Sequence, residues 1–187
     1  TASIKIGVSA CLLGEHVRYD GGHKHDRYIT ETVGRFFSFV PVCPEVECGL
    51  PVPREAMRLE GDPAGPRLMT RRTRIDRTDQ MLAFCSVKIR ELEREELCGF
   101  IFKERSPSCG LTTVPLHKSC ASEMFTAGLF AREVARFFPL MPIEEAECLN
   151  HPGICESFIE RVFIYHRERY FHKTNPALSL LHLKAEH

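Results

Sequence analysis

Residues 4–14 read I-K-I-G-V-S-A-C-L-L-G. Ile4 to Ala10 is a short apolar run rich in β-branched residues, the pattern of a buried strand, and a cysteine follows it directly. The arrangement returns twice. Phe39 to Val42 reads as a second buried strand that ends at Cys43, and Leu97 to Phe102 reads as a third, leading through K-E-R-S-P-S into Cys109. Apolar residues recur at helical spacing in the intervals: Ile29, Val33, Phe36 and Phe37 over about 26–37, then Leu82, Cys85, Ile89 and Leu92 after a helix entry at Thr78 and Asp79. A further helix is expected over about 126–138, with Leu129, Phe130, Val134 and Phe137 inward, and a fourth strand over about 140–143. A long amphipathic helix begins near Ser157, with Phe158, Val162, Phe163, His166 and Tyr170 on its stripe, and Asn175-Pro176 should stop it. Residues 58–77 read as an irregular basic loop, and another loop runs from Gly110 to about Ser122. Strands alternating with helices give the fold class: α/β, an open, mostly parallel Rossmann-like sheet with helices on both faces, plus a C-terminal helical extension. Ligands of such sheets sit outside the carboxyl ends of the strands, which is where Cys11, Cys43 and Cys109 fall.

The 187 residues are 43% hydrophobic and 27% charged, the range of an ordinary globular protein, and suffice for one domain with an appendage. The expected division is an α/β domain over 1–150 and a helical tail over 151–187. Lysine and arginine number 25, as do aspartate and glutamate, and the formal net charge is zero. That balance argues against a protein built mainly to hold nucleic acid. No apolar run is long enough to cross a bilayer, and the start of the chain lacks the basic residues and long apolar stretch of a signal peptide. A cytoplasmic location is the expectation. Nothing here sets an oligomeric state.

Nine cysteines, an odd number in a standard composition, do not form a secreted disulfide framework. Cys11, Cys43 and Cys109 are distant in the chain, yet each follows a strand, so the fold would bring them to one rim. Three thiolates in a loop-lined crevice make a soft-ligand site; the plainer reading is that each is a buried strand-end thiol. Cys85 lies on a helical stripe and Cys98 inside the third strand, both core positions. Cys148 and Cys155 flank His151 and Pro152 at no standard zinc spacing, and Cys120 has no readable context. Cys48 follows Cys43 as in part of a plant-type ferredoxin spacing, without the close third cysteine. It reads as a fourth ligand, a bystander thiol or a packed residue. Asp20-Gly21-Gly22 either lets the backbone approach a ligand closely or simply turns the chain. Arg18, Tyr19 and Asp20 are the candidate substrate contacts there. His16, His23 and His25 on the same loop read as solvated, with no second metal, and Arg67 to Arg77 as a solvated basic loop rather than a phosphate site.

Three segments stand in one order: V-S-A-C-L-L-G-E-H-V-R-Y-D-G-G (residues 8–22), V-C-P-E-V-E-C-G-L-P-V-P-R-E (42–55) and K-E-R-S-P-S-C-G (103–110). Together they resemble the thiouracil desulfurase family, long catalogued as a domain of unknown function, over about residues 4–147. The resemblance implies a [4Fe-4S] cluster held by Cys11, Cys43 and Cys109, with one iron lacking a protein ligand and open to the sulfur of a thiolated uracil. It also implies catalytic roles for Glu45 and Ser106. The chain departs from the family's pattern at Cys48, where relatives often carry a small residue. Phe158-Ile-Glu-Arg-Val-Phe-Ile-Tyr-His resembles the start of a helical C-terminal domain found in some relatives, which makes the tail a remnant of such a domain or a docking helix.

Converting C=S to C=O requires sulfur made a better leaving group, activated water and a stabilised anionic intermediate. An open iron would act on the sulfur. Glu45, close to a thiolate in a partly desolvated site, is expected to have a raised pKa suited to proton transfer; the alternative is a turn glutamate. Ser106 orients substrate or water, or is a turn serine before Pro107. The implied function is non-redox desulfuration of a small thiolated nucleobase or nucleoside, with nucleic acid disfavoured and no membrane. The competing readings are a zinc- or cluster-stabilised binding or regulatory module, and a sulfur-transfer enzyme acting on RNA.

Overall fold

The structure, a computed structural model, describes residues 3–117 and 124–174. Its frame is a parallel sheet of β1 (Lys5–Ser9), β2 (Ser38–Val42), β5 (Phe100–Phe102) and β8 (Ile143–Glu145), in the order β2-β1-β5-β8. β1 runs level with β2 from Lys5↔Ser38 to Ser9↔Val42 and pairs β5 at Gly7↔Phe100 and Val8↔Ile101. The chain leaves β1 to one side to form β2 and returns on the other to form β5. The switch in strand order therefore falls beside β1, where open α/β sheets place their ligands.

Helices cover both faces. On one lie α1 (Arg27–Glu31), α5 (Ala146–Leu149) and α6 (Pro152–Thr174), contributing Ile29, Leu149, Phe158 and Val162 to a buried cluster with Ile6, Val8 and Ile101. On the other, α3 (Thr78–Arg94) and α4 (Leu129–Phe137) bury Met81, Cys85, Ile89, Phe130 and Val134 against Phe100 and Phe102. The rings of Phe100 and Phe102 stack with centroids 4.2 Å apart, and Phe130 meets both edge-on. Each such ring adds about 1.5–3 kcal/mol of apolar burial. Gly7 makes room for this stack, since a Cβ there would lie 2.2 Å from the Phe100 ring.

The expected basic loop over 58–77 is instead a hairpin, β3 (Met57–Glu60) with β4 (Arg67–Thr70). The loop beyond Gly110 contains β6 (Val114–His117), and β7 (Met124–Thr126) precedes α4. These four strands form a second sheet, in the order β4-β3-β6-β7. Met57, Leu59, Leu68, Val114 and Leu116 point into the core, while Arg58, Glu60 and Arg67 on alternate positions conceal the pattern.

Other differences are of placement. Cys98 precedes β5 rather than lying in it, although it is buried. The fourth strand sits at Ile143–Glu145, leaving Leu140 exposed. Met81, not Leu82, faces inward from α3; Phe137, Phe163 and Tyr170 face outward, so the stripes of α4 and α6 are narrower than expected. α6 starts earlier, at Pro152, because Pro at the first helical position has no N–H to satisfy. Cys120 and the Asn175-Pro176 stop lie outside the described residues. No described helix is long and apolar enough to cross a membrane.

Candidate functional site

Each of the three strand-end cysteines is placed by its own local device. Cys11 lies in a short 3-10 turn (Ala10–Leu13) that continues β1, and its carbonyl accepts from Lys24 N at 2.9 Å. Cys43 is the N-cap of α2 (Pro44–Glu47). Pro44 starts that helix at no hydrogen-bonding cost, and Glu47 reaches back to accept from Cys43 N at 2.8 Å. Cys109 lies in a turn docked on the start of α4. There the first N–H groups of the helix, orphans in any helix, are taken by the segment itself: Leu129 N donates to Pro107 O, and Phe130 N and Ala131 N to Ser108 O. Gly128 permits this contact, because a Cβ would meet the Ser108 carbonyl carbon at 2.5 Å.

The three thiols share one cavity of about 280 Å³ at the carboxyl ends of β1, β2 and β5. Its wall also holds Glu45, Arg54, Ser106, Ser108, Arg18 and Tyr19. Burial pushes the Cys11 thiol up to about 11 and Cys43 adds to the shift, while Lys103 and Arg18 pull the other way. Burial likewise raises Cys43, opposed by the backbone N–H of Val46. Cys109 is raised furthest, by burial first, with the Ser9 hydroxyl opposing and Cys43 and Cys11 adding to it.

Glu45 is buried and gripped at both oxygens. Arg54 donates to Oε2 from Nε at 2.8 Å and lies 2.6 Å away through Nη2, and Ser108 Oγ donates to Oε1 at 2.8 Å. Both side chains of the ion pair are nearly inaccessible, at 6% for Arg54 and 11% for Glu45. Removing one partner of such a pair strands a buried charge, at a cost of about 3–5 kcal/mol. Ser106 Oγ lies 3.0 Å from Ser108 Oγ and accepts from Cys109 N at 3.2 Å. Glu45 and Ser106 are therefore joined through Ser108 rather than to each other.

Not every expected residue reaches the cavity. Asp20 is absent from the wall: it accepts from Gly22 N at 3.0 Å and pairs with Arg18 at 3.3 Å, a turn residue steadying its neighbour. Cys48 also lies off the wall. Its thiol donates to Glu45 O at 3.2 Å, and its side chain packs against the cluster that contains Cys85. Cys148 and Cys155 are remote, on α5 and α6. His16, His23 and His25 pack edge to edge on the surface. Sequence reasoning passed over Arg54, Ser108, Ser9 and Lys103. All four stand in or beside the quoted motifs, but their pairings span separations that no periodicity reveals.

Fold and site together define an open parallel α/β protein whose strand-order switch carries a three-thiol crevice with a buried glutamate in its wall. The chain belongs to the 2-thiouracil desulfurase family, whose model matches residues 6–146. Among solved structures it is similar to a [4Fe-4S]-dependent thiouracil desulfidase, TudS, at 25% identity and a TM-score of 0.64, covering 82% of this chain and 98% of that one. A comparison with curated proteins finds no match.

Proposed function

We propose that this chain holds a [4Fe-4S] cluster on Cys11, Cys43 and Cys109, with one iron free of protein ligands, and converts a thiolated pyrimidine base to its oxo form. The balance is C=S plus water giving C=O plus hydrogen sulfide, without net redox change. The observation that carries the reading is the meeting of three thiols from three strand ends on one cavity, with Glu45 in the same wall. Family membership and the likeness to a [4Fe-4S]-dependent thiouracil desulfidase support it.

The donor set fits such a group. Soft thiolates are the ligands of iron–sulfur clusters. Cys11, Cys43 and Cys109 all line the one cavity from which such a group would be held. Three ligands rather than four leave a coordination position for substrate, as catalytic metal sites do. The cluster, when bound, would supply Lewis acidity and affinity for the substrate's sulfur.

The remaining work falls to side chains. The thiols must shed their protons on binding the cluster, and Lys103 and Arg18 stabilise the resulting charge at Cys11. Tyr19, Val17 and Pro107 offer apolar wall against which a planar base can lie. Glu45, fixed at both oxygens, accepts a proton from water entering the cavity and returns it to the departing sulfur. Ser106, linked to Glu45 through Ser108, orients substrate or water from the same wall. The cavity's size and its apolar walls suit a free base or nucleoside.

The test is sulfide release from 2-thiouracil by protein purified without oxygen, with uracil measured in parallel. The account predicts equal yields of sulfide and uracil. It also predicts that Glu45→Gln keeps its iron and loses turnover by roughly 10²–10⁴-fold, the usual worth of a general acid–base group. Wild-type turnover in Glu45→Gln would remove Glu45 from the proton-transfer role.

A further inference from the structure

Arg54 is a buried cation with each of its three nitrogens engaged, and every partner belongs to a cysteine-bearing segment or the turn beside one. Nε and Nη2 reach Oε2 of Glu45, two residues after Cys43. Nη2 also donates to Val17 O at 2.9 Å, on the loop that follows Cys11. Nη1 donates to Pro51 O at 3.3 Å, closing the turn from which Arg54 itself projects. Val17 O in addition accepts from the Cys43 thiol, with Sγ 3.8 Å away. The other oxygen of Glu45 is held by Ser108, whose hydroxyl lies 3.8 Å from Cys109 Sγ. One guanidinium thus links the Cys11 loop, the Cys43 helix and, through Glu45 and Ser108, the Cys109 turn.

We infer that Arg54 is the positioning residue of this site: it aims the Glu45 carboxylate and ties the three cysteine segments together before any cofactor arrives, with Ser108 as the link to Cys109. The assignment rests on the three-cysteine reading above. The planar fork is what the role requires. The Arg54 guanidinium serves one carboxylate oxygen and two carbonyls at fixed angles, whereas an ammonium is a point charge on a flexible stem. The arrangement also explains why a charged pair is kept where apolar side chains would pack as well: the two charges fix geometry, the best attested use of a buried ion pair. Arg54 lines the cavity, and in this assignment it acts through Glu45 rather than as a base or acid.

The experiment compares wild type, Arg54→Gln and Arg54→Lys, each first as cofactor-free protein and then reconstituted without oxygen. In the cofactor-free state amide hydrogen exchange is read over 16–19, 44–50 and 106–110. Arg54→Gln should exchange about tenfold faster in all three windows, since local opening follows the loss of ties, and Arg54→Lys should fall between it and wild type. After reconstitution Arg54→Gln should bind less iron per chain. Turnover of the chains that do load should fall about 100-fold with KM nearly unchanged, the effect of a misaimed catalytic group. Wild-type exchange of Arg54→Gln in all three windows, or turnover of Arg54→Gln equal to wild type, would overturn the assignment. If Arg54→Gln does not fold, Arg54→Lys decides alone: wild-type exchange in its 16–19 and 106–110 windows refutes the tie, and faster exchange in both supports it. Should wild type bind no iron, the three-cysteine reading fails, while the exchange arm still reports on Arg54.

Discussion

The rim cysteines and the core cysteines are the same residue in two environments. Cys85 and Cys155 are 1% and 2% exposed, set among Leu, Phe and Val side chains. Burial drives Cys85 up to about 12, and nothing cationic opposes it. Cys11 is also pushed up, to about 11, but Lys103 and Arg18 stand against the shift, and Arg54 does the same for Cys43. Cys109, as buried as many core residues, has hydroxyls at hand from Ser9 and Ser108. Depth alone therefore does not separate the two groups. What does is the company: cations and hydroxyls facing a shared cavity at the rim, and no cation opposing burial at Cys85 in the core. Cys85 stays a thiol, whereas a rim thiol has groups ready to stabilise its anion.

The comparison can be broken first at Cys109. Cys109→Ala should lose the bound iron and all sulfide release above background while retaining a cooperative melt, because the turn is held by backbone bonds to α4 rather than by the sulfur. Iron analysis beside a thermal scan checks it; full iron in the variant would move Cys109 into the core class. Cys85→Ala should do the reverse, costing about 1–2 kcal/mol of stability as a buried truncation does, with iron and turnover unchanged. The pH dependence sharpens this pair. Cys85 has its folded-state value raised from 9.0 to about 12, so the stability it contributes is complete below about pH 9 and drains away as pH rises toward 12. Denaturant melts from pH 8 to 11 should show a shallower alkaline loss in Cys85→Ala than in wild type. The smallest effect belongs to Cys48→Ala, which should keep iron and turnover because Cys48 faces the core side of its helix. Loss of iron in that variant would instead place a fourth thiolate on the cluster.

The parallel sheet was legible because each of its first three strands is a run of β-branched and aromatic residues bounded by turn residues, and the helices because their apolar positions repeat. The second sheet was not. Its strands are short, and Arg58, Glu60 and Arg67 alternate with the buried Met57, Leu59 and Leu68, so charge density outweighed a period of two. At the site, the rule that ligands gather at strand ends brought Cys11, Cys43 and Cys109 to one rim, and the family motifs pointed to Glu45 and Ser106. Ser108 and Arg54 were invisible as partners. Ser108 and Glu45 meet only through the tertiary fold, and Arg54 reaches Glu45 with its backbone N–H tied to Tyr19 O across the chain. Asp20 was ambiguous for the opposite reason: an Asp-Gly-Gly turn looks the same whether it cradles a ligand or only reverses the chain.

Iron and acid-labile sulfide counted per chain, on wild-type protein made without oxygen, test the central claim most directly. The account predicts about four of each, the content of a [4Fe-4S] cluster, in brown protein that bleaches in air. One zinc and no sulfide in colourless protein would contradict it.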